Sequence, residues 1–178
     1  MISAPRLLAR IALFSALAYV VGWACYYIPN VNLIFFVAFS AGFLWGVLPG
    51  VAVAIVGEAL FSAFNPGGPA DPVVFAAQVV GMGFSGLIGG LFRAGRWHER
   101  LRPVRIGALA VAAAVVTILF YLPVNSADAW VYQPFWPRFT VGLVAAIPTL
   151  VSNMLAFPLL FGITRHLYDR ERVNAWSR

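Results

Sequence analysis

The residues most able to do chemistry are a few polar side chains within an otherwise apolar sequence. Glu58 is a carboxylate in the middle of one long apolar run, and Gln78 stands in the middle of the next. An ionised carboxylate inside a membrane span is costly unless it is paired, hydrated or protonated, so it points first to a functional role. The alternative is structural: a hydrogen bond to Gln78 or to a serine or threonine of a neighbouring helix.

Amide and aromatic side chains accompany these two residues, mostly between the apolar runs. Amides supply hydrogen bonds and aromatic faces supply stacking surfaces, which together suit a flat heterocyclic ligand. Polar loops and aromatic membrane boundaries would explain the same composition without a ligand. The predicted substrate-binding residues are Asn30, Asn32, Glu58, Asn65, Gln78, Asn125, Trp130 and Tyr132.

The sequence offers no pattern for covalent or metal chemistry. His98 and His166 stand beside arginines without metal-ligand spacing. Cys25 is a lone cysteine at a predicted helix end, which is more typical of packing than of a soft metal ligand. There is no nucleophile–base pair and no phosphate-binding loop. We therefore predict no enzymatic activity, no cofactor and no metal, and any ATP hydrolysis that drives the protein must occur in another chain.

Composition indicates a membrane protein. Of the 178 residues, 62% are hydrophobic and 10% are charged, with a mean hydropathy of +0.87. Soluble domains carry about 25% charged residues. The net charge of +6 comes from arginines beside apolar runs, a pattern set by anionic headgroups and membrane topology and not by nucleic acid. We predict a multi-pass protein of the inner (cytoplasmic) membrane whose partners include the lipid bilayer and exclude nucleic acid.

Six apolar spans must position the polar residues. A spanning helix needs about 20 apolar residues, and the run from Val31 to Phe64 is too long for one ordinary span. Gly46 and the Pro49-Gly50 pair divide it into two short helices, and the first apolar run is interpreted as a retained helix instead of a signal peptide. The predicted fold is an all-α integral membrane protein, a six-transmembrane-helix bundle in one domain (1–178), with helices at about 7–27, 31–45, 47–64, 72–92, 106–122 and 139–163.

Arginine placement predicts the orientation of the bundle. With six spans, eleven of the twelve arginines fall on the side of both termini, and only Arg138 falls opposite. The positive-inside rule makes the first side cytoplasmic. Glu58 then lies roughly 9 Å from the outer end of its helix at 1.5 Å per residue, with Gln78 at a similar depth. We expect both to face one outward pocket, with an aromatic loop at 123–137 as its lid.

The joint pattern resembles the substrate-binding (S) components of energy-coupling factor transporters, the vitamin-uptake systems of prokaryotes. The likeness covers nearly the whole chain in its length, its six helices and its cytoplasmic ends. Ala12 and Ala16 form a small-xxx-small motif where that family places the contact of its first helix with the coupling subunit. Looser points of likeness are the turn at Phe43 to Gly46, Gly50, and the pairs Gly57-Glu58, Asn65-Pro66 and Ala77-Gln78.

The resemblance implies a subunit that captures a vitamin or vitamin precursor at its outward face. A transmembrane coupling subunit and two cytoplasmic ATPase subunits would drive release, and Ala12 and Ala16 would form the partner interface. The ligand stays open among thiamin, riboflavin, pyridoxine, queuosine precursors and corrinoids. The alternatives from other classes are a small channel or structural membrane protein and, with less support, an intramembrane enzyme.

Overall fold

The described chain folds into six α-helices and one short 3₁₀ turn. The computed structural model describes the backbone of residues 4–176 and the side chains of residues 4–171, and no strand occurs among them. Five of the helices are long and apolar enough to cross a membrane, so the chain is a multi-pass helical membrane protein. The helices are α1 (Ala4–Cys25), α2 (Ile34–Trp45), α3 (Val47–Phe64), α4 (Pro72–Ala94), α5 (Arg102–Tyr132) and α6 (Phe135–Trp176), with the 3₁₀ turn at Trp97–Glu99.

The short helix α2 lies at the centre of the bundle. Its 12 residues span about 18 Å, less than the hydrocarbon thickness of a membrane. Almost every residue of α2 is buried, and helices α1, α3, α4 and α6 pack around it. Phe35, Phe39 and Phe43 are fully buried and form the middle of the core. Because protein surrounds α2, it can remain short and apolar on all sides.

Glycines bring α2, α3 and α4 into direct backbone contact. A Cβ atom on Gly42 would collide with the carbonyl oxygen of Gly86, and one on Gly86 would collide with the backbone of Gly50. The chain turns from α2 into α3 at Gly46, where φ is 99°, a conformation that glycine adopts most readily. Because the residues at these crossings are small, the backbones of the crossing helices contact each other directly, with few side chains between them.

The predicted aromatic loop at 123–137 is wrong, because most of this segment is helical. Helix α5 continues past Pro123 to Tyr132, and α6 begins at Phe135. A proline removes one backbone donor and kinks a helix, and neighbouring helices in a bundle can accommodate that change. No glycine occurs in residues 124–132 to favour an earlier end of the helix. The fifth and sixth helices therefore form a long hairpin.

The helix ends on the arginine-bearing side also differ from the prediction. Helix α5 begins at Arg102 instead of residue 106, and α6 continues beyond residue 163 to Trp176. The charged segment after residue 163 is helical and includes the Arg165–Asp169 pair, spaced by four residues, which supports helix formation. Helices α1, α2 and α4 differ from their predicted bounds by two or three residues at an end. The side chains of Arg172 and Arg178, which belong to the predicted cytoplasmic set, lie outside the described residues.

Most described arginines gather at one end of the bundle, which we call the arginine-rich end. Arg10 of α1 pairs with Glu171 of α6 at 3.1 Å, and Trp45 at the end of α2 donates to the same carboxylate. Arg93 near the end of α4 donates to a backbone carbonyl of α2 at 2.6 Å. Arg138 lies on the α5–α6 hairpin near the other end. Successive helices therefore run in opposite directions between the two ends of the bundle.

Candidate functional site

A cavity of about 410 Å³ lies at the end of the bundle away from the arginines. This volume falls in the range of small-molecule sites, about 300–1,000 Å³. The end of α1, the segment 28–32, part of α3 and the facing surfaces of α5 and α6 form its walls. Three amides line it, Asn30, Asn32 and Asn125, so we call it the asparagine cavity. Its other polar lining residues are Cys25, Tyr26, Tyr121 and Thr149.

The segment 28–32 between α1 and α2 places two of the amides. Asn30 has a φ of 63°, a left-handed conformation in which asparagine is enriched. Asn32 Oδ1 accepts a hydrogen bond from the backbone nitrogen of Ile34 at 3.1 Å, where α2 begins. Such a bond satisfies one of the free donors at a helix start. Asn32 therefore starts α2 as well as lining the cavity.

Asn125 is the amide with the clearest capacity for a ligand. It lies on α5 one turn after Tyr121, and its Nδ2 atom is buried without a hydrogen-bond partner among the described residues. A buried donor without a partner costs about 1–3 kcal/mol. Asn125 therefore carries an unused hydrogen-bond donor in the wall of the asparagine cavity.

Glu58 lies inside the bundle and does not line the asparagine cavity. Its side chain is buried, and Oε1 accepts a hydrogen bond from Ser62 Oγ at 3.3 Å, one turn along α3. Oε2 has no hydrogen-bond partner within the described part of the chain. The carboxylate is close enough to Tyr121 to interact with it electrostatically. Glu58 therefore adjoins the cavity through Tyr121, and its hydrogen bond comes from its own helix instead of from a neighbouring one.

Asn65 and Gln78 are also absent from the cavity lining. Asn65 organises the turn after α3: its Nδ2 donates to the carbonyl of Gly68 at 3.0 Å, and its Oδ1 accepts from the nitrogen of Gly67 at 2.8 Å. Gln78 is half-buried on α4, and its Oε1 atom has no hydrogen-bond partner in residues 4–171. The structural role of Asn65 accounts for its position without a ligand.

Trp130 and Tyr132 lie near the tip of the α5–α6 hairpin and do not line the cavity. Trp130 is 71% exposed, and the guanidinium of Arg138 lies 4.7 Å from the centre of the Tyr132 ring. Arg138 also forms an ion pair with Asp128. From Asn125 to Tyr132 the hairpin continues for roughly 10 Å at 1.5 Å per residue. The aromatic residues expected in a loop over the pocket belong instead to a helical extension.

Sequence reasoning missed the wall that α5 and α6 provide. Tyr121 and Thr149 face each other closely enough for their side chains to interact, and both line the cavity. Tyr121 and Asn125 are four residues apart, a spacing that places them on one face of a helix. The prediction ended the fifth helix at residue 122, and so it placed Asn125 in a loop. The α6 residues on this wall are Gly142, Ala145, Ala146 and Thr149.

The predicted partner residues lie on an exposed surface of α1. Ala12 and Ala16 are both exposed, whereas Ser15 and Ala18 are buried against the bundle. Helix α1 is also the least buried of the five long apolar helices, because only 17% of its apolar segment is buried inside the bundle. Its exposed small residues leave room for the close approach of another helix.

His98 lies at the arginine-rich end, far from the asparagine cavity. Its ring is buried between the rings of Phe43 and Tyr168, whose centres lie 5.1 Å and 5.4 Å away. Burial is the main cause that lowers the pKa of His98 below its ordinary value of 6.5. The charged groups that also act on it are Glu99 and Asp169, which raise the pKa, and Arg165 and Arg93, which lower it.

The fold and cavity together define a class of protein. The chain is a helical multi-pass membrane protein with a ligand-sized polar cavity at one end of its bundle and most of its positive charge at the other. No protein-family model, curated protein or solved structure matches the chain.

Proposed function

We propose that the protein is the substrate-binding subunit of an energy-coupling factor type transporter and that it captures a vitamin or vitamin precursor. The asparagine cavity is the observation that carries this proposal. It has a volume of about 410 Å³, and its walls combine amides with the phenol rings of Tyr26 and Tyr121. Such walls suit a flat organic molecule that carries several hydrogen-bonding groups.

The proposed orientation follows from the two ends of the bundle. Under the positive-inside rule the arginine-rich end is cytoplasmic, so both termini are cytoplasmic and the protein resides in the inner membrane. The asparagine cavity then faces the outside, where a nutrient is captured.

A binding role accounts for the core better than a channel does. A channel needs a polar path through the bundle, whereas the middle of this bundle holds Phe35, Phe39 and Phe43, all fully buried. Their rings pack edge to face with other aromatic residues. An aromatic core of this kind favours capture of a ligand over free conduction.

Release of the captured ligand requires partner chains in this proposal. A transmembrane coupling subunit docks on the exposed face of α1 at Ala12 and Ala16, and two cytoplasmic ATPase subunits supply the energy. The exposure of this face in the described chain supports the docking site.

Ligand retention tests the proposal directly. The protein is purified in mild detergent and then denatured, and mass spectrometry identifies any released small molecule. We expect about one vitamin-like molecule per chain, which rebinds in titration calorimetry. Protein that is free of ligand and binds none of the candidate vitamins would contradict the proposal, as would a hydrolytic activity.

A matched pair of variants connects the ligand to the cavity. Asn125→Ala removes the amide whose Nδ2 has no hydrogen-bond partner among the described residues, and we expect it to weaken rebinding about tenfold, the equivalent of one hydrogen bond to a buried group. Ser126→Ala is the control, because Ser126 is outside the cavity lining and its hydroxyl donates to a carbonyl of its own helix. If the two variants bind the ligand with equal affinity, the ligand does not bind in the asparagine cavity.

A further inference from the structure

A second cavity lies between α4 and α5 at the arginine-rich end. Its volume is about 450 Å³, and its lining is apolar, with Leu91 and Trp97 on one side and Val104 and Val111 on the other. We call it the α4–α5 groove. Along α5 the lining extends from Val104 to Ala112, roughly 12 Å at 1.5 Å per residue. The groove is therefore elongated and apolar, and it runs along the surface of the bundle.

The α4–α5 groove opens sideways, toward the position of the surrounding lipid. Leu91, Val104 and Val111 are exposed although they line it. Gly107 forms part of the groove on α5, and a Cβ atom added there would meet no atom within 4 Å. Space of this kind, next to hydrocarbon and bounded by apolar side chains, can be filled by a lipid acyl chain without loss of hydrogen bonds.

Positive charge without an acidic partner lies at the end of the groove. The guanidinium of Arg100 lies 5.9 Å from the centre of the Trp97 ring, which lines the groove. Arg102 begins α5, two residues before Val104. Both arginines are exposed, and neither lies within ion-pair distance of a carboxylate in the part of the chain that the structure describes.

Further arginines increase this charge. Arg105 lies close enough to Arg102 and Arg165 for their charges to repel. Like charges held together favour an anionic partner that reduces the repulsion. Arginine suits a phosphate group in particular, because its planar guanidinium forms paired hydrogen bonds with the oxygens.

We propose that the α4–α5 groove binds one anionic phospholipid of the surrounding leaflet. One acyl chain lies along Gly107 and Val111, and the phosphate lies between Arg100 and Arg102. Basic pockets between membrane helices are a known way to recognise anionic headgroups. This site is separate from the asparagine cavity, and it does not depend on the proposed function or on which side of the membrane is cytoplasmic.

Native mass spectrometry of the full chain in detergent tests the site. Phosphatidylglycerol and phosphatidylcholine with identical acyl chains are titrated into the delipidated protein. We expect one phosphatidylglycerol to bind more tightly than phosphatidylcholine, by about fivefold for each arginine that contacts it. The double variant Arg100→Gln with Arg102→Gln should bring the two lipids to similar affinities.

The controls separate a local site from general attraction to positive charge. Arg6→Gln removes an exposed arginine near the start of α1, which contributes no residue to the lining of the groove, and should leave the preference for phosphatidylglycerol unchanged. Gly107→Phe fills the groove and should weaken both lipids. If that variant does not fold, Val111→Trp at an exposed position serves the same purpose. Equal binding of the two lipids by the wild type, or no effect of filling the groove, would overturn the proposal.

Discussion

Asn125 of α5 lies directly against Gly142 of α6, so that a Cβ atom at position 142 would be 2.7 Å from Asn125 Oδ1. Real side chains do not approach that closely, and the missing side chain of Gly142 is what leaves room for the amide. Both residues line the asparagine cavity. The packing of α5 on α6 thus sets the position of the cavity's unpartnered amide donor.

Gly142→Ala tests this relationship. The added methyl group must displace Asn125, so we expect binding of the co-purified ligand to weaken about tenfold, which corresponds to the loss of one well-placed hydrogen bond. Titration calorimetry measures the affinity. Gly162→Ala on the same helix is the control, because a Cβ atom there meets nothing within 4 Å. If Gly142→Ala and Gly162→Ala bind alike, Asn125 is not a ligand contact.

Glu58→Gln replaces the buried carboxyl group beside the cavity with an amide of nearly the same volume. Because the carboxylate interacts with Tyr121, a lining residue, we expect the ligand affinity to fall about tenfold. Ser62→Ala removes the hydrogen bond to Glu58 but keeps the carboxyl group, and it should have a smaller effect on binding. Calorimetry on both variants checks this. An unchanged affinity in Glu58→Gln, with altered thermal stability, would assign Glu58 to the structure of the bundle alone.

Ala12→Leu or Ala16→Leu should abolish uptake and leave ligand binding intact. Either change adds bulk where close helix approach is expected, on a surface remote from the asparagine cavity. Uptake is measured in cells that carry the complete transporter, and binding is measured on the purified chain. Leu17→Phe, at an exposed residue about 100° around α1 from Ala16, should affect neither. Parallel loss of uptake and binding would mean that α1 serves the ligand site instead of a partner.

Gly86→Ala should destabilise the bundle. Its Cβ atom would collide with the backbone of Gly50, which cannot move without separating α3 from α4. We expect a loss of about 3 kcal/mol, the upper range for an overpacked core, and a fall in Tm of roughly 10 °C for a chain of this size. In Gly83→Ala the nearest contact is Ile55 at 3.9 Å, so its Tm should match the wild type. Thermal unfolding in detergent distinguishes the two.

Stability should fall in mild acid because of His98. Burial lowers its pKa below 6.5, so the unfolded chain takes up a proton at a higher pH than the folded chain does. The stabilisation by neutral His98 is therefore present above about pH 6.5 and is lost as the pH falls toward the folded pKa. His98→Gln should reduce the fall in Tm between about pH 7.5 and about pH 5. His166→Gln, at an exposed residue, should not, and an equal effect of both would contradict this role.

Local chemistry explains which parts of the fold could be predicted. The helix α3 has the predicted bounds because Gly46 and Asn65-Pro66 interrupt the apolar run on either side of it. The end of α5 was predicted wrongly because Pro123 was interpreted as a stop. A proline in a packed bundle only kinks the helix, and that outcome depends on neighbours that are distant in sequence.

The candidate site, like the fold, could be predicted only in part from the sequence. Asn30, Asn32 and Asn125 were predicted from residue type and position, and the structure brings these three together. Glu58 and Gln78 were predicted to face one pocket because they stand at similar depths. Depth does not determine the direction in which a side chain points, since each residue turns 100° around a helix.

The sequence by itself determined the class of the protein, because hydropathy, span length and arginine placement act locally along the chain. Tertiary structure alone decided what lies around each polar group. Asn125 meets the cavity only because Gly142, distant in sequence, has no side chain, and Glu58 stays buried because α1, α2 and α4 pack around α3. These contacts depend on how helices rotate and cross, and that geometry is settled by packing of the whole bundle.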